Sequence, residues 1–390
     1  MMRIRSLFLK PTLGCTADCI HCKSRMGFYR SLKGDRLTLG EHLETIREAR
    51  SLGARTLHLS GGEPTLYPNL ARLVEEGKRV GMMVILNTNG SRMDEALARR
   101  LLSAGLDSAI VSLHSAREEA HDEIKRRRGS HREVLRCLRV LRRLRDEEYS
   151  RFLLTTQTIV SKRNFRELPD LLDSVCRLEV DGHGISYVEG DSDGSLLLNA
   201  DEVEELRRTV LPKARRRLRE HTFKNPILRH AALRLLANLY RTGYGPDESG
   251  RGVVPHGSPD RGRCRTPLVF VMVLSEGSVL PCNMAEYSGG PILGNVRETG
   301  LRSIVESERW RRFAREGHEL CLSCPAHLHF HIPISIGMRA LIRLALGNPA
   351  EEQKSILRRI GEVLGYARAG TRVIPGPAGP RATHTAEREG

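Results

Sequence analysis

From residue 4 to about 190, short β-branched and leucine-rich runs alternate with amphipathic stretches that end in glycine. Such strand-helix units with short connections build a parallel sheet with right-handed crossovers. The predicted strands are R-S-L-F-L-K (5–10), R-T-L-H-L-S (55–60), M-V-I-L-N-T-N (83–89), S-A-I-V-S-L-H (108–114), F-L-L-T-T-Q-T-I-V (152–160) and a sixth near 184–188. Helices are expected at about 39–52, 69–80, 94–104, 131–145 and 166–178. Thr38 with Glu41 reads as a capping box opening the first helix, and Gly53 closes it. Six such units fit an α/β fold, a partial (β/α)6 barrel. In barrels of this kind the chemistry collects at the C-terminal ends of the strands.

The 39% hydrophobic and 28% charged content suits a soluble globular chain with a sizeable core. No apolar run is long enough to span a membrane, and the N-terminal apolar stretch is too short for a signal peptide. A cytoplasmic location is expected, where thiolates stay reduced. The net charge of +16 raises the question of nucleic acid, but the arginines are scattered over helix faces and aromatics make up only 4%. The densest run, Lys125-Arg126-Arg127-Arg128, reads as a solvated surface or a site for a phosphate or carboxylate. No nucleic-acid or membrane partner is expected.

Two helical stretches, about 200–220 and 226–241, follow the barrel, and 242–263 is a Gly/Pro-rich linker or loop. The divisions are the barrel (1–195), a helical segment with linker (196–263), a second cysteine region (264–330), a helical segment (331–366) and a disordered tail (367–390). Seven of the nine cysteines have ligand-like spacing.

Cys15, Cys19 and Cys22 form C-T-A-D-C-I-H-C after the first strand. Three thiolates can hold three irons of a [4Fe-4S] cluster and leave the fourth open. A closed zinc site wants a fourth ligand, for which His21 is poorly placed. This C-x3-C-x2-C spacing, with Gly61-Gly62-Glu63-Pro64 after the second strand, resembles the radical S-adenosylmethionine (SAM) superfamily. The resemblance covers about residues 5–330. It implies that the open iron chelates SAM and that one electron cleaves it to a 5'-deoxyadenosyl radical. It also implies that the Gly-Gly-Glu-Pro turn binds the methionine amino group, and that polar strand ends line the SAM pocket. Asn89 and Ser112 are the leading candidates there, with Asn87, Thr88 and His114 beside them and Gln157, Ser161 and Asn164 following. Capping of strand ends is the plain alternative for each.

Cys264, Cys282, Cys321 and Cys324 make a second set, on an expected hairpin turning at Glu276-Gly277 and a C-x2-C knuckle. Four thiolates suit a fully ligated cluster or a structural zinc. The layout resembles the SPASM/twitch subclass, and departs from full SPASM in having Phe330 where a further cysteine would stand. The resemblance therefore implies a C-terminal twitch-like β-hairpin/helix iron–sulfur domain with one auxiliary [4Fe-4S] cluster, making two clusters in all. It is similar to enzymes of the 2-deoxy-scyllo-inosamine dehydrogenase type. That implies oxidation of a small-molecule substrate, a sugar or aminocyclitol alcohol, in natural-product (antibiotic) biosynthesis, with the auxiliary cluster as electron acceptor. A flavodoxin- or ferredoxin-type donor would supply electrons. Redox-neutral epimerisation and ribosomal-peptide maturation are the alternatives, and a zinc-dependent nucleic-acid binder is the reading outside enzymes. No peptide-recognition domain is expected ahead of Cys15. Cys137 and Cys176 read as buried helix residues. His327, His329 and His331 read as surface or substrate-facing groups.

Overall fold

The computed structural model describes residues 4–22, 35–188, 195–220, 244–246, 253–255, 266–286 and 291–316. The chain divides after Ile336, and every described residue lies in the first unit. Outside the described residues fall Cys264, Cys321 and Cys324, the three histidines at 327–331, the expected helical segments at 226–241 and 331–366, and the tail.

Six parallel strands follow one another in chain order: β1 (Ser6–Leu9), β2 (Thr56–Leu59), β3 (Met83–Thr88), β4 (Ser108–Ser112), β5 (Leu153–Val160) and β6 (Gly182–Tyr187). Neighbours in sequence are neighbours in the sheet, the order of a barrel wall rather than of a doubly wound sheet. The connecting helices are α1 (Leu39–Ser51), α2 (Leu70–Arg79), α3 (Glu95–Ser103), α4 (Glu118–Lys125), α5 (Ser130–Glu147) and α6 (Leu168–Arg177). The expected capping box is present: Glu41 N donates to Thr38 Oγ1 at 3.3 Å, and Thr38 N donates to Glu41 Oε2 at 2.6 Å. α7 (Ala200–Glu205) and α8 (Leu211–Glu220) follow, joined by a π turn at Leu206–Val210. None of these helices is long and apolar enough to cross a membrane.

Alternation along the strands assigns their two faces. Leu7, Leu9, Leu57, Leu59, Val84, Leu86, Ala109, Val111 and Leu154 are fully buried in the layer between sheet and helices. The opposite phase carries Phe8, His58 and Ile85 in one register row, and Ser112, Gln157 and Gly184 in another. That second face, polar toward the C-terminal strand ends, is the inner wall.

Two regions differ from expectation. Glu118–Lys125 form a helix, α4, where the sequence predicts only a basic run at 125–128. Its apolar stripe is broken by His121 and Lys125, both buried for reasons that appear only in the site. Within the expected linker, β7 (Tyr244–Pro246) and β8 (Val253–Pro255) pair antiparallel.

The expected hairpin is β9 (Phe270–Val273) and β10 (Ser278–Leu280), turning at Gly277 with φ +97°. A short β11 (Gly294–Asn295) leads to α9 (Val296–Val305) and α10 (Glu308–Glu316). β9 pairs in parallel with β1 through Ser6–Phe270 to Leu9–Val273, so the hairpin continues the barrel wall as one nine-stranded sheet. The indole of Trp310 fastens α10 by donating to the Pro267 carbonyl at 3.2 Å.

Candidate functional site

The cysteine loop begins where β1 ends and is fastened by the next elements along the wall. Asp18 N and Ile20 N donate to the Lys125 and Ile124 carbonyls at 3.2 and 2.9 Å. These are carbonyls of the last turn of α4, which a helix leaves without internal partners. Arg127 adds a guanidinium bond to the Thr16 carbonyl at 2.9 Å, and Arg126, at φ 49°, ends the helix in the left-handed region. On the other side Asn89 Nδ2 donates to Thr16 Oγ1 at 2.9 Å, and the Thr16 and Ser91 hydroxyls bond at 2.6 Å.

Cys15 Sγ receives N–H bonds from Ala17 at 3.4 Å and from the Asn89 amide at 3.6 Å. Burial raises the Cys15 thiol, reinforced by the Glu63 carboxylate, and pushes Cys19 up to about 11. The ammonium of Lys125, 2% exposed, opposes both shifts. Among the described residues no three His, Cys, Asp or Glu side chains converge closely enough to ligate a single ion. Three thiols on one loop, with N–H donors aimed at sulfur and a buried cation alongside, are the donor chemistry of an iron–sulfur cluster with thiolate ligands. The residues present fit that group. His21 turns its ring edge-on against His114, 4.8 Å between centroids, and burial lowers its pKa to about 3.

The Gly61-Gly62 turn packs against this same loop. Gly62 N donates to the Thr12 carbonyl at 3.0 Å and Glu63 N to that of Gly14 at 2.8 Å. A Cβ at Gly62 would be driven into the Gly14 carbonyl, and one at Gly61, with φ +128°, into that of Thr12. The resemblance assigns this turn to the methionine amino group of SAM; in the fold its two glycines admit the backbone of the cysteine loop. Glu63 is 0% exposed, and its carboxylate is taken up internally. Oε1 accepts from Thr65 N at 3.2 Å, Thr65 Oγ1 at 2.6 Å and Thr88 Oγ1 at 2.7 Å, and Oε2 from Asn89 N at 2.7 Å. Pro64 opens the following 3-10 turn.

Along the inner wall, the Asn87 side-chain oxygen is buried with no hydrogen-bond partner, an acceptor left open for a ligand. Ser112 and Gln157 lie in register on β4 and β5, and Gln157 Nε2 donates to Ser186 Oγ at 3.0 Å. Ser161 and Asn164 serve the backbone instead. Asn164 Nδ2 donates to the His114 and Ile159 carbonyls at 2.8 and 2.9 Å, and its Oδ1 accepts from Ser161 N at 2.8 Å. His114 and His121 stack at 5.8 Å, and burial holds both imidazoles neutral.

Cys282 follows β10 and packs with Phe8, Phe270, Met272 and Leu280 in a small apolar cluster on the inner side of β1. The turn before it is closed by Asn295, whose amide donates to the Glu276 carbonyl at 3.1 Å. Cys137 is buried on α5 against Gly90, where a Cβ would come within 3.3 Å of its sulfur. Burial raises its thiol and pushes that of half-buried Cys176 up to about 11.

The family model of the radical SAM superfamily matches residues 9–175, and that of the SPASM iron-sulfur cluster-binding domain matches 264–325. The chain carries a radical SAM domain followed by a SPASM domain. It is 26% identical over 361 residues to the AdoMet-dependent heme synthase of Methanosarcina barkeri, covering 90% of this chain and 95% of the relative. It is 25% identical over 335 residues to the PqqA peptide cyclase of Bradyrhizobium diazoefficiens, covering 82% and 78%. Among solved structures, Streptococcus suis SuiB bound to S-adenosylmethionine superposes with a TM-score of 0.57 at 15% identity, over 83% of this chain and 69% of that one. anSMEcpe with bound AdoMet and a peptide superposes with a TM-score of 0.57 at 16% identity, over 82% and 85%. At those identities the likeness is one of fold.

In the radical SAM domain, the first cysteine set, the Gly-Gly-Glu-Pro turn and Asn89 come together, and Ser112 stands farther along the inner wall. Sequence reasoning missed Thr16 and Ser91, and it read Lys125 only as part of a basic run. The run is split by helical geometry: Lys125 turns inward at the end of α4, Arg127 binds the loop, and Arg126 and Arg128 are exposed.

Proposed function

We propose that the chain is an enzyme that uses SAM to remove a hydrogen atom from a C–H bond, in a net two-electron oxidation. Cys15, Cys19 and Cys22 would hold one [4Fe-4S] cluster, and Cys264, Cys282, Cys321 and Cys324 a single auxiliary one. Bound there, the clusters supply the electron that cleaves SAM and a sink for the electron left on the substrate. Lys125 offers its ammonium to the SAM carboxylate. The backbone carbonyls of Gly61–Glu63 would accept from the SAM ammonium, and Asn87, Ser112 and Gln157 would meet the polar groups of the nucleoside. The observation that carries this reading is the β1–β9 pairing: the strand delivering Cys15 lies directly beside the hairpin delivering Cys282. An acceptor site built onto the wall of the radical site suits oxidation.

Epimerisation would need a hydrogen donor at the inner wall. Cys137 lies on the opposite side of the sheet beneath Gly90, and Cys176 packs against the same outer core. Neither supports that route. A small polar alcohol, a sugar or aminocyclitol, is the substrate class that the four-cysteine layout favours, within natural-product biosynthesis. Oxidative modification of a peptide is the second reading, favoured by the PqqA peptide cyclase relative and by the peptide bound to anSMEcpe. A flavodoxin- or ferredoxin-type protein in a cytoplasmic, reducing setting would donate the electron.

The test is iron and sulfide per chain after anaerobic reconstitution, for wild type and a Cys15/Cys19/Cys22→Ala variant. About eight irons falling to about four, with SAM cleaved by wild type alone, is expected. About four falling to none removes the acceptor and overturns the oxidation.

A further inference from the structure

Lys10 and Glu286 form an ion pair with side chains only 9% and 1% exposed. Lys10 directly follows β1, five residues before Cys15. It is in phase with Phe8, whose ring belongs to the apolar cluster around Cys282, whereas Leu7 and Leu9 face the helices. Its Cβ is 3.5 Å from where a Gly61 Cβ would stand. Glu286 closes the 3-10 turn Asn283–Glu286, which starts immediately after Cys282. The pair therefore joins the two cysteine-bearing segments at the top of the β1–β9 seam, where Lys10 N also donates to the Val273 carbonyl at 2.9 Å.

Holding two segments together does not require charge. Desolvation of a buried pair offsets much of its attraction, and apolar side chains of similar volume often stabilise as well or better. What charge adds is electrostatic influence, and the potential of an iron–sulfur cluster responds to the net charge and hydrogen bonds around it. We propose that Lys10 and Glu286 are a positioning pair that couples the two cysteine sites: the pair registers the Cys282 turn against the strand leading to Cys15, and its charges set the potential of the cluster held by Cys282. This rests on the reading of Cys282 as a cluster ligand.

The experiment uses the full chain with Cys15, Cys19 and Cys22 changed to Ala, so that only the second site is loaded, and follows its potential by EPR-monitored redox titration. Glu286→Gln removes one negative charge and should raise the potential; Lys10→Met removes one positive charge and should lower it. Lys10→Met/Glu286→Leu removes both and should return close to the parent. Opposite shifts that cancel are the expected result, and a purely structural role would not produce them. Shifts of the same sign, or none, in loaded protein overturn the coupling alone. If Lys10→Met does not accumulate as folded protein, Glu286→Gln must still lie above the double variant, and equality overturns the proposal. Absence of iron from the parent overturns the Cys282 reading and the proposal with it.

Discussion

Asn89 donates its side-chain amide to the Thr16 hydroxyl at 2.9 Å, joining the end of β3 to the cysteine loop across 73 residues of sequence. The same nitrogen faces Cys15 Sγ at 3.6 Å, while Asn89 N is held by Glu63 Oε2 at 2.7 Å. One residue thus ties the loop, the Gly-Gly-Glu-Pro turn and the inner wall. Asn89→Ala removes the bonds to Thr16 and Cys15 and should loosen the loop by about 1–2 kcal/mol. The expected result is faster loss of iron to a chelator, by roughly tenfold. Asn89→Asp, which cannot donate to sulfur, should behave like the alanine variant.

Gly62→Ala should not assemble the loop, because the added carbon meets the Gly14 carbonyl rather than a side chain that can move. Gly81→Ala is the control: its φ is +76°, but a Cβ there meets nothing within 4 Å. The control should lose about 1 kcal/mol in urea unfolding and retain its iron, whereas Gly62→Ala should lose iron at any stability.

Lys125→Met leaves the α4 carbonyl bonds to the loop in place and removes only the buried cation. SAM affinity, measured by equilibrium titration of the reconstituted protein, should fall by at least about tenfold, as for a lost charge-assisted bond. Lys125→Arg should recover part of it. Equal affinity in all three proteins would sink the carboxylate assignment.

His42 on α1 is fully buried, and neither ring nitrogen has a hydrogen-bond partner. Burial lowers its pKa from 6.5 to about 4. The unfolded chain therefore binds a proton more readily than the folded one, and the stability linked to His42 is complete above pH 6.5 and declines as pH falls toward 4. His183, lowered to about 3 by burial, acts in the same direction. His42→Leu should stabilise the protein, and the gain measured by urea unfolding should be larger at pH 5 than at pH 7.5. A gain equal at both pH values would assign it to packing alone.

The six strands, their order and the first cysteine set were legible in the sequence because they depend on local rules. Period-two patterning marks strands, Thr38 with Glu41 marks a helix start, and three thiols in eight residues need no distant partner. The strand ends were located correctly, yet their roles were not separable. Asn164 and Asn89 are the same residue type after parallel strands, and only the position of the cysteine loop makes one a backbone clamp and the other a donor to sulfur. The helix ending at Lys125 was missed because its buried face carries His121 and Lys125, which the sequence presents as polar.

By itself the sequence determined that the chain has a parallel strand-helix wall and a loop of three thiols at its C-terminal edge. Tertiary structure alone decided that the glycines of Gly61-Gly62 make room for that loop's own backbone, that Lys125 turns toward the thiols, and that β9 extends the wall beside β1. The reason is physical. Patterning and capping act within a few residues, whereas close backbone approach, burial of charge and sheet extension arise between segments whose proximity no local preference encodes.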